Sequence, residues 1–311
     1  MKVLITGVDG QDGTILSHKY MEAGWDVIGV SRSPKIYPQK KLSENISFGE
    51  IKDSKNCWSI LNELKPDHIL HLAAVHAAST SMSTLEGISK REMTSVHVDL
   101  TRNFLLWQKM NNYSRLGVAL SSQMYTPTQK VTIIDEITPP EPMNFYGMTK
   151  AKAFDLVKEY RYRNNQFAIG FIFFNHTSIY SKEEFLFQLL ARQIAGVIKG
   201  DLDKVQIRNF DSEIDISSAH EVCEGAMQAM FSSQPRDWIF SSSKLLSIRS
   251  IVKAAFVELG VSTSVPLIST QTNSSASFNL VGNTESARHF LGWETNVNPG
   301  QLLASMVSSH L

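Results

Sequence analysis

Tyr146 and Lys150 bracket the run Tyr146-Gly-Met-Thr-Lys150. On a helix, residues at i and i+4 lie one above the other on one face. A tyrosine so placed shares its surroundings with an ammonium, which draws the phenol from a pKa of roughly 10 towards neutrality. Such a phenol takes a proton from a substrate hydroxyl or returns it. That is the proton half of a carbinol–carbonyl oxidoreduction, and the hydride half needs a nicotinamide. An ordinary exposed helix pair has the same spacing, so position has to strengthen the reading. The pair lies downstream of a glycine-rich turn and of a strand that ends in Ser121-Ser122-Gln123.

The turn reads Thr6-Gly7-Val8-Asp9-Gly10-Gln11-Asp12-Gly13, between a first strand and a first helix. Glycines there permit positive φ and let the backbone approach a pyrophosphate, which then sits on the helix N-terminus. The spacing is Gly-x-x-Gly-x-x-Gly. The second strand ends in Val30-Ser31-Arg32-Ser33, with Lys35 close behind and no acid to hold a ribose 2′-hydroxyl. An arginine at this place accommodates a 2′-phosphate, which favours NADP over NAD. A solvated loop cation is the plainer reading of Arg32.

These residues need a scaffold, and the chain alternates short β-rich runs with helical ones. Strands are expected over Lys2–Ile5, Asp26–Val30, Asn45–Phe48, His68–Ala74, Gly117–Ser122 and Ala168–Asn175. Helices are expected over Thr14–Ala23, Ser54–Lys65 (Ser54 as N-cap, Pro66 as stop), Val96–Met110 and Tyr146–Arg163. Such alternation predicts an α/β, doubly wound parallel sheet, with loops after the strands converging on one cleft. Beyond residue 175 the pattern changes to helices (Phe185–Lys199, Ala219–Phe231, Ile248–Leu259), short strands and a polar stretch, Ser262–Ser277. We expect residues 1–175 to form the dinucleotide-binding domain and 176–311 a smaller substrate lobe, with some segments returning to the sheet.

Composition narrows the class. Lys+Arg and Asp+Glu both number 30, so no net field draws the protein to nucleic acid or anionic lipid. Cys57 and Cys223 lack metal-ligand spacing and are expected to be reduced thiols. The chain begins with a strand rather than a basic-then-apolar leader, and no apolar stretch has spanning length, so a cytoplasmic location is the expectation.

Several stretches resemble the extended short-chain dehydrogenase/reductase (NAD-dependent epimerase/dehydratase) superfamily, and within it the GDP-mannose 4,6-dehydratases. They are Ile5-Thr-Gly-Val-Asp-Gly-Gln-Asp-Gly13, Leu64-Lys-Pro-Asp67, His71-Leu-Ala-Ala74, Tyr146-Gly-Met-Thr-Lys150, Phe174-Asn-His-Thr-Ser178 and Leu291-Gly-Trp293. The resemblance implies a Rossmann-type domain, bound NADP, a nucleotide-sugar substrate, and homodimers or homotetramers using helices near 97–110 and 146–163. It also implies cofactor contacts from Gly7, Asp9, Gly10, Gln11, Asp12, Gly13, Arg32, Glu50, Ile51, Leu72, Ala73, Ala74, Tyr146, Lys150 and His176. Substrate contacts would come from Ser121, Ser122, Asn175 and Arg249.

In that family a threonine, a glutamate, the tyrosine and the lysine cooperate. NADP oxidises C4 of the sugar, the glutamate removes the C5 proton, water leaves from C6 and the hydride returns there. The threonine position falls on Ser121, which keeps a hydroxyl. The glutamate position falls on Gln123, and an amide has no basic site near neutral pH. The family's diphosphate-binding arginines are also missing, except at Arg249. We therefore expect hydride transfer at C4 by Tyr146, Lys150 and Ser121, with an epimerase or C4 oxidoreductase favoured over a dehydratase. A dehydratase would need another carboxylate, such as Asp135 or Glu141. A non-catalytic NADP-binding scaffold is the alternative from another class.

Overall fold

Along Lys2–Thr6 (β1), Val3 and Ile5 point to one side and Leu4 to the other, and all three are buried. A strand apolar on both faces has to be covered on both faces. A computed structural model of the chain describes residues 1–31, 44–47, 51, 53–75, 90–271 and 279–311. In it, β1 is central to a seven-stranded sheet with Asp26–Ser31 (β2), Glu44–Ser47 (β3), His68–His71 (β4), Arg115–Ser121 (β5), Ala168–Phe173 (β7) and Trp238–Phe240 (β12). The order is β12-β7-β5-β4-β1-β2-β3, with every pairing parallel. This is a doubly wound Rossmann-type α/β fold.

One face is covered by Ser54–Leu64 (α2), Leu100–Met110 (α4) and Phe145–Asn164 (α5), through Leu61, Phe104, Trp107, Phe154 and Val157. The short helix Lys90–Thr94 (α3) leads into α4. Gln11–Glu22 (α1) and Ala219–Met230 (α7) cover the other face with Ile15, Tyr20, Val222 and Ala226. A third core joins Leu190 and Ile194 of Leu186–Lys199 (α6), Phe256 of Ile248–Glu258 (α8) and Leu303 of Pro299–Ser308 (α10). Among the described residues four short strand pairs stand beside the sheet: Val131–Ile134 (β6) with Asn279–Gly282 (β15), Asn175–Thr177 (β8) with Ile216–Ser218 (β11), Val205–Ile207 (β9) with Leu267–Ser269 (β14), and Glu213–Ile214 (β10) with Leu246–Ser247 (β13). Glu285–Leu291 (α9) packs near β12.

Several boundaries differ from the sequence expectation for local reasons. Asp53, not Ser54, caps α2, its carboxylate accepting from the Lys55 and Asn56 amides at 2.9 and 3.2 Å. The fourth strand ends at His71 because the Ala73 amide leaves the ladder and donates to Thr6 Oγ1 at 3.1 Å. The run 168–175 divides at Phe174, whose amide turns to the Phe240 carbonyl, and Asn175 then begins pairing with β11. The stretch 262–277 contributes β14, an edge strand beside β9.

Strand order reverses between β1 and β4, and ligands of open α/β sheets bind in the crevice outside such a switch point. The far end of α5 is pinned to the sheet. Arg161 donates to both Asp237 oxygens (2.8 and 2.5 Å) and to the Ala168 carbonyl (3.0 Å), while Asp237 also accepts from the Gly170 amide. Both side chains are buried. Asp237→Ala should cost about 3–5 kcal/mol, because it strands a buried guanidinium. Urea unfolding measures this, and a loss below about 1 kcal/mol would show that water reaches Arg161.

Candidate active site

The N-terminus of α5 abuts the turn that follows β5. Ser121 ends the strand, and its hydroxyl accepts from the Gln123 amide at 3.2 Å, capping the single 3₁₀ turn Ser122–Met124. Asn144 caps α5, with its Oδ1 accepting from the Gly147 amide at 2.7 Å. The Asn144 amide nitrogen donates to Gln123 Oε1 at 3.1 Å. A Cβ on Gly147 would collide with the Gln123 carbonyl oxygen, so only glycine permits this approach. The contact brings the Tyr146 phenol to Ser121, whose hydroxyl acts to lower the phenol's pKa.

Lys150 lies one turn further along, 3% exposed, and its Nζ donates to the Ala119 carbonyl at 2.7 Å. Burial lowers its pKa to about 7. Burial pushes the Tyr146 phenol up to about 12, against the Ser121 hydrogen bond, which lowers it, while Asp12 adds to the rise. The expectation that Lys150 draws the phenol towards neutrality is therefore corrected for the protein alone. Nζ is 5.8 Å from the ring centroid, its charge is half lost to desolvation near neutral pH, and a backbone carbonyl takes its hydrogen bond.

The glycine turn forms a cradle. Gly7 has φ +71°, and a Cβ there would meet the Ala73 backbone at 3.0 Å. A Cβ on Gly13 would collide with the Gly7 carbonyl. Gly10 begins α1 without a side-chain cap, leaving the helix N-terminus open to an anion. Bare backbone between β1 and the segment after β4 fits the pyrophosphate of a nicotinamide dinucleotide. Thr6 binds that segment through a directed chain. Ala73 N–H donates to Thr6 Oγ1, and the Thr6 hydroxyl to His71 Nδ1 (2.7 Å), while His71 Nε2 donates to the Val96 carbonyl (2.9 Å). Burial and the Lys150 charge lower His71 to about 3, so it is a neutral tie.

Gln11 and Asp12 reach β8 and the turn after it. Gln11 Oε1 accepts from the Ser178 hydroxyl at 3.1 Å, and His176 Nε2 lies 3.0 Å from Asp12 Oδ1. His176 Nδ1 is 2.8 Å from the Phe174 carbonyl. Both ring nitrogens thus face acceptor oxygens, an arrangement that favours the imidazolium form. Burial would lower its pKa, but the Asp12 charge and hydrogen bond and the Phe174 carbonyl outweigh it, and the pKa is raised.

The other expected residues are more scattered. Asp9 is exposed on the turn, and Leu72 and Ala74 are half-buried beside Ala73. Ile51 is buried in the sheet core with Leu4 and Ile28, leaving its backbone for any cofactor contact. Ser122 is half-buried in the 3₁₀ turn. Asn175 donates to the Asp215 carbonyl at 3.0 Å. Arg249 is held by Asp211 through two hydrogen bonds, at 2.8 and 3.2 Å, so a diphosphate would have to compete with a carboxylate. Asp135 accepts from the Thr138 hydroxyl at 2.5 Å, while Glu141 is exposed. Arg32, Lys35 and Glu50 lie outside the described residues. Cys57 and Cys223 are buried free thiols, and the described residues contain no metal-ligand cluster. The sequence reading missed His97, hidden in an apolar helix pattern. Its only signal was a histidine among the valines of Ser95-Val-His-Val-Asp99.

The sequence model of GDP-mannose 4,6 dehydratase matches residues 4–306. The chain belongs to the GDP-mannose 4,6-dehydratase family. It is therefore an enzyme of the extended short-chain dehydrogenase/reductase type. It is similar to the GDP-mannose 4,6 dehydratase of Cricetulus griseus, with 26% identity over 83% of this chain and 72% of that protein. The dTDP-glucose 4,6-dehydratase of Bacillus anthracis, solved with NAD, shares the fold with a TM-score of 0.81 and 16% identity, covering 99% and 96% of the two chains. The UDP-glucose 4-epimerase of Thermotoga maritima, solved with UDP-glucose, has a TM-score of 0.82 and 17% identity over 99% and 98%.

The His176–Asp12 pair has a pH signature. A histidine raised in the folded state stabilises it fully below the unfolded pKa of about 6.5, and the contribution is lost as pH rises through the folded value. Urea stability of the unaltered protein should therefore fall more steeply above about pH 6.5 than that of His176→Gln. Parallel curves would rule out an imidazolium at this position.

Proposed function

We propose that this member of the family is an NADP-dependent enzyme that transfers hydride at C4 of a nucleotide-linked sugar, as an epimerase or C4 oxidoreductase. The observation that carries the reading is the side chain beside the Ser121–Tyr146–Lys150 cluster. It is Gln123, an amide held by Asn144, where elimination would need a base. No acidic residue closes β2 in the sequence, and Arg32 follows Ser31, which supports NADP. We also assign residues 1–175 to the dinucleotide and 176–311 mainly to the substrate.

A bound oxidised nicotinamide would supply the acceptor for the C4 hydride and a positive charge that makes a phenol easier to ionise. Ser121 holds the C4 oxygen by the hydroxyl that contacts Tyr146. In oxidation Tyr146 takes the C4 hydroxyl proton; in reduction it returns one to the carbonyl oxygen. With its phenol near 12, Tyr146 rests protonated and ready for the reductive direction. Lys150, near 7, exchanges a proton at neutral pH and neutralises the phenolate as it forms. Nothing in these steps needs a carboxylate. Removal of the C5 proton does, and Gln123 offers no base for it.

The family match favours a second reading, a 4,6-dehydratase with a different base. Incubating the protein with NADP or NAD and a panel of GDP-, UDP-, CDP- and dTDP-sugars, followed by mass analysis, separates the two. An isomer or a two-hydrogen change is expected; loss of water supports the dehydratase, and dinucleotide binding without turnover supports a scaffold. Gln123→Glu should raise water loss by about 10²–10⁴. No gain would show that Gln123 is not what blocks elimination.

A further inference from the structure

His97 has no part in the proton chemistry above. It lies in Ser95–Asp99, a single π-helical turn between α3 and α4, in which the Leu100 amide donates to the Ser95 carbonyl. The i→i−5 bond of such a turn widens the helix locally by one residue. Here Val96, His97 and Val98 are all buried. The widened turn inserts the imidazole, 1% exposed, between the segment after β4 and the first turns of α5.

Its hydrogen bonds have a fixed direction. The Val75 amide donates to Nε2 at 3.0 Å. The ring proton therefore sits on Nδ1, 2.7 Å from Thr149 Oγ1, and the Thr149 hydroxyl donates onward to the Tyr146 carbonyl at 2.8 Å. The imidazole also meets the Tyr146 ring edge-on, with centroids 5.3 Å apart. Val96, one residue earlier, receives the His71 bond, so the turn is tied to the end of β4 twice. Val75, Met93 and Val96 pack with Ala73 and Tyr146 in one small apolar cluster.

We propose that His97 is a positioning residue that sets the separation between the segment Leu72–Val75, which would line the site of a bound nicotinamide, and the phenol of Tyr146. The proposal rests on the reading of Tyr146 as the acid/base. A side chain of similar bulk would fill the space, but only one that accepts from Val75 and donates to Thr149 holds both elements. Glutamine can do both through its amide, whereas leucine can do neither.

The test compares His97→Leu and His97→Gln with the unaltered protein. In His97→Leu, exchange protection of the Val75 amide should be lost and NADPH affinity should fall about tenfold or more. A displaced reacting group typically costs up to about 10² in rate, so kcat should drop about 10- to 100-fold while the sugar KM changes little. His97→Gln should restore most of all three. Unchanged Val75 protection and NADPH affinity in His97→Leu would overturn the proposal, even with a lowered melting temperature. A glutamine variant no better than leucine would overturn it as well. If the unaltered protein turns over no nucleotide sugar, the C4 reading fails, while amide exchange and NADPH affinity still decide the role of His97.

Discussion

The site depends on one contact without room for a side chain. Gly147 lies against the carbonyl of Gln123, so the first turn of α5 touches the turn after β5. That approach brings Tyr146 to Ser121 and places Lys150 beneath the last residues of the strand, on the Ala119 carbonyl. The Arg161–Asp237 pair holds the other end of the same helix. A helix fixed at both ends cannot slide along the sheet, and a proton donor must be held within fractions of an ångström to be useful.

Burial governs the electrostatics of this corner. It raises Tyr146 and lowers Lys150, so both are driven towards their neutral forms. The pair is poised for a cationic partner rather than already ionised. At His176 the opposite holds: Asp12 and a carbonyl outweigh its desolvation and raise its pKa, favouring the charged form. The imidazoles of His71, His97 and His176 thus do different work in neighbouring positions. The atoms facing each ring decide which.

Much of the sheet was legible in the chain. β1, β2, β5 and β7 are short apolar runs, and helices between them show as stripes, because alternation and helical periodicity are local. The glycine turn was legible for a similar reason, since glycine spacing records where backbones must approach. The π-helical turn was not legible, because Ser95–Asp99 differs from an α-helix by one hydrogen-bond register and not by composition. Neither was the pairing of β6 with β15, whose residues are far apart in the chain, so that no local pattern records it.

The amino-acid sequence by itself determined which chemical groups are available. It supplied a phenol and an amine in helical register, a hydroxyl at a strand end, a glycine turn, and an amide at Gln123. Residue type is a covalent property, and no packing converts that amide into a base. Tertiary structure alone decided how those groups are charged and held. Lys150 loses basicity because of what buries it, His176 gains it because of Asp12, and Arg249 is occupied by Asp211. Protonation and pairing depend on surroundings assembled from distant parts of the chain, and these exist only in the folded molecule.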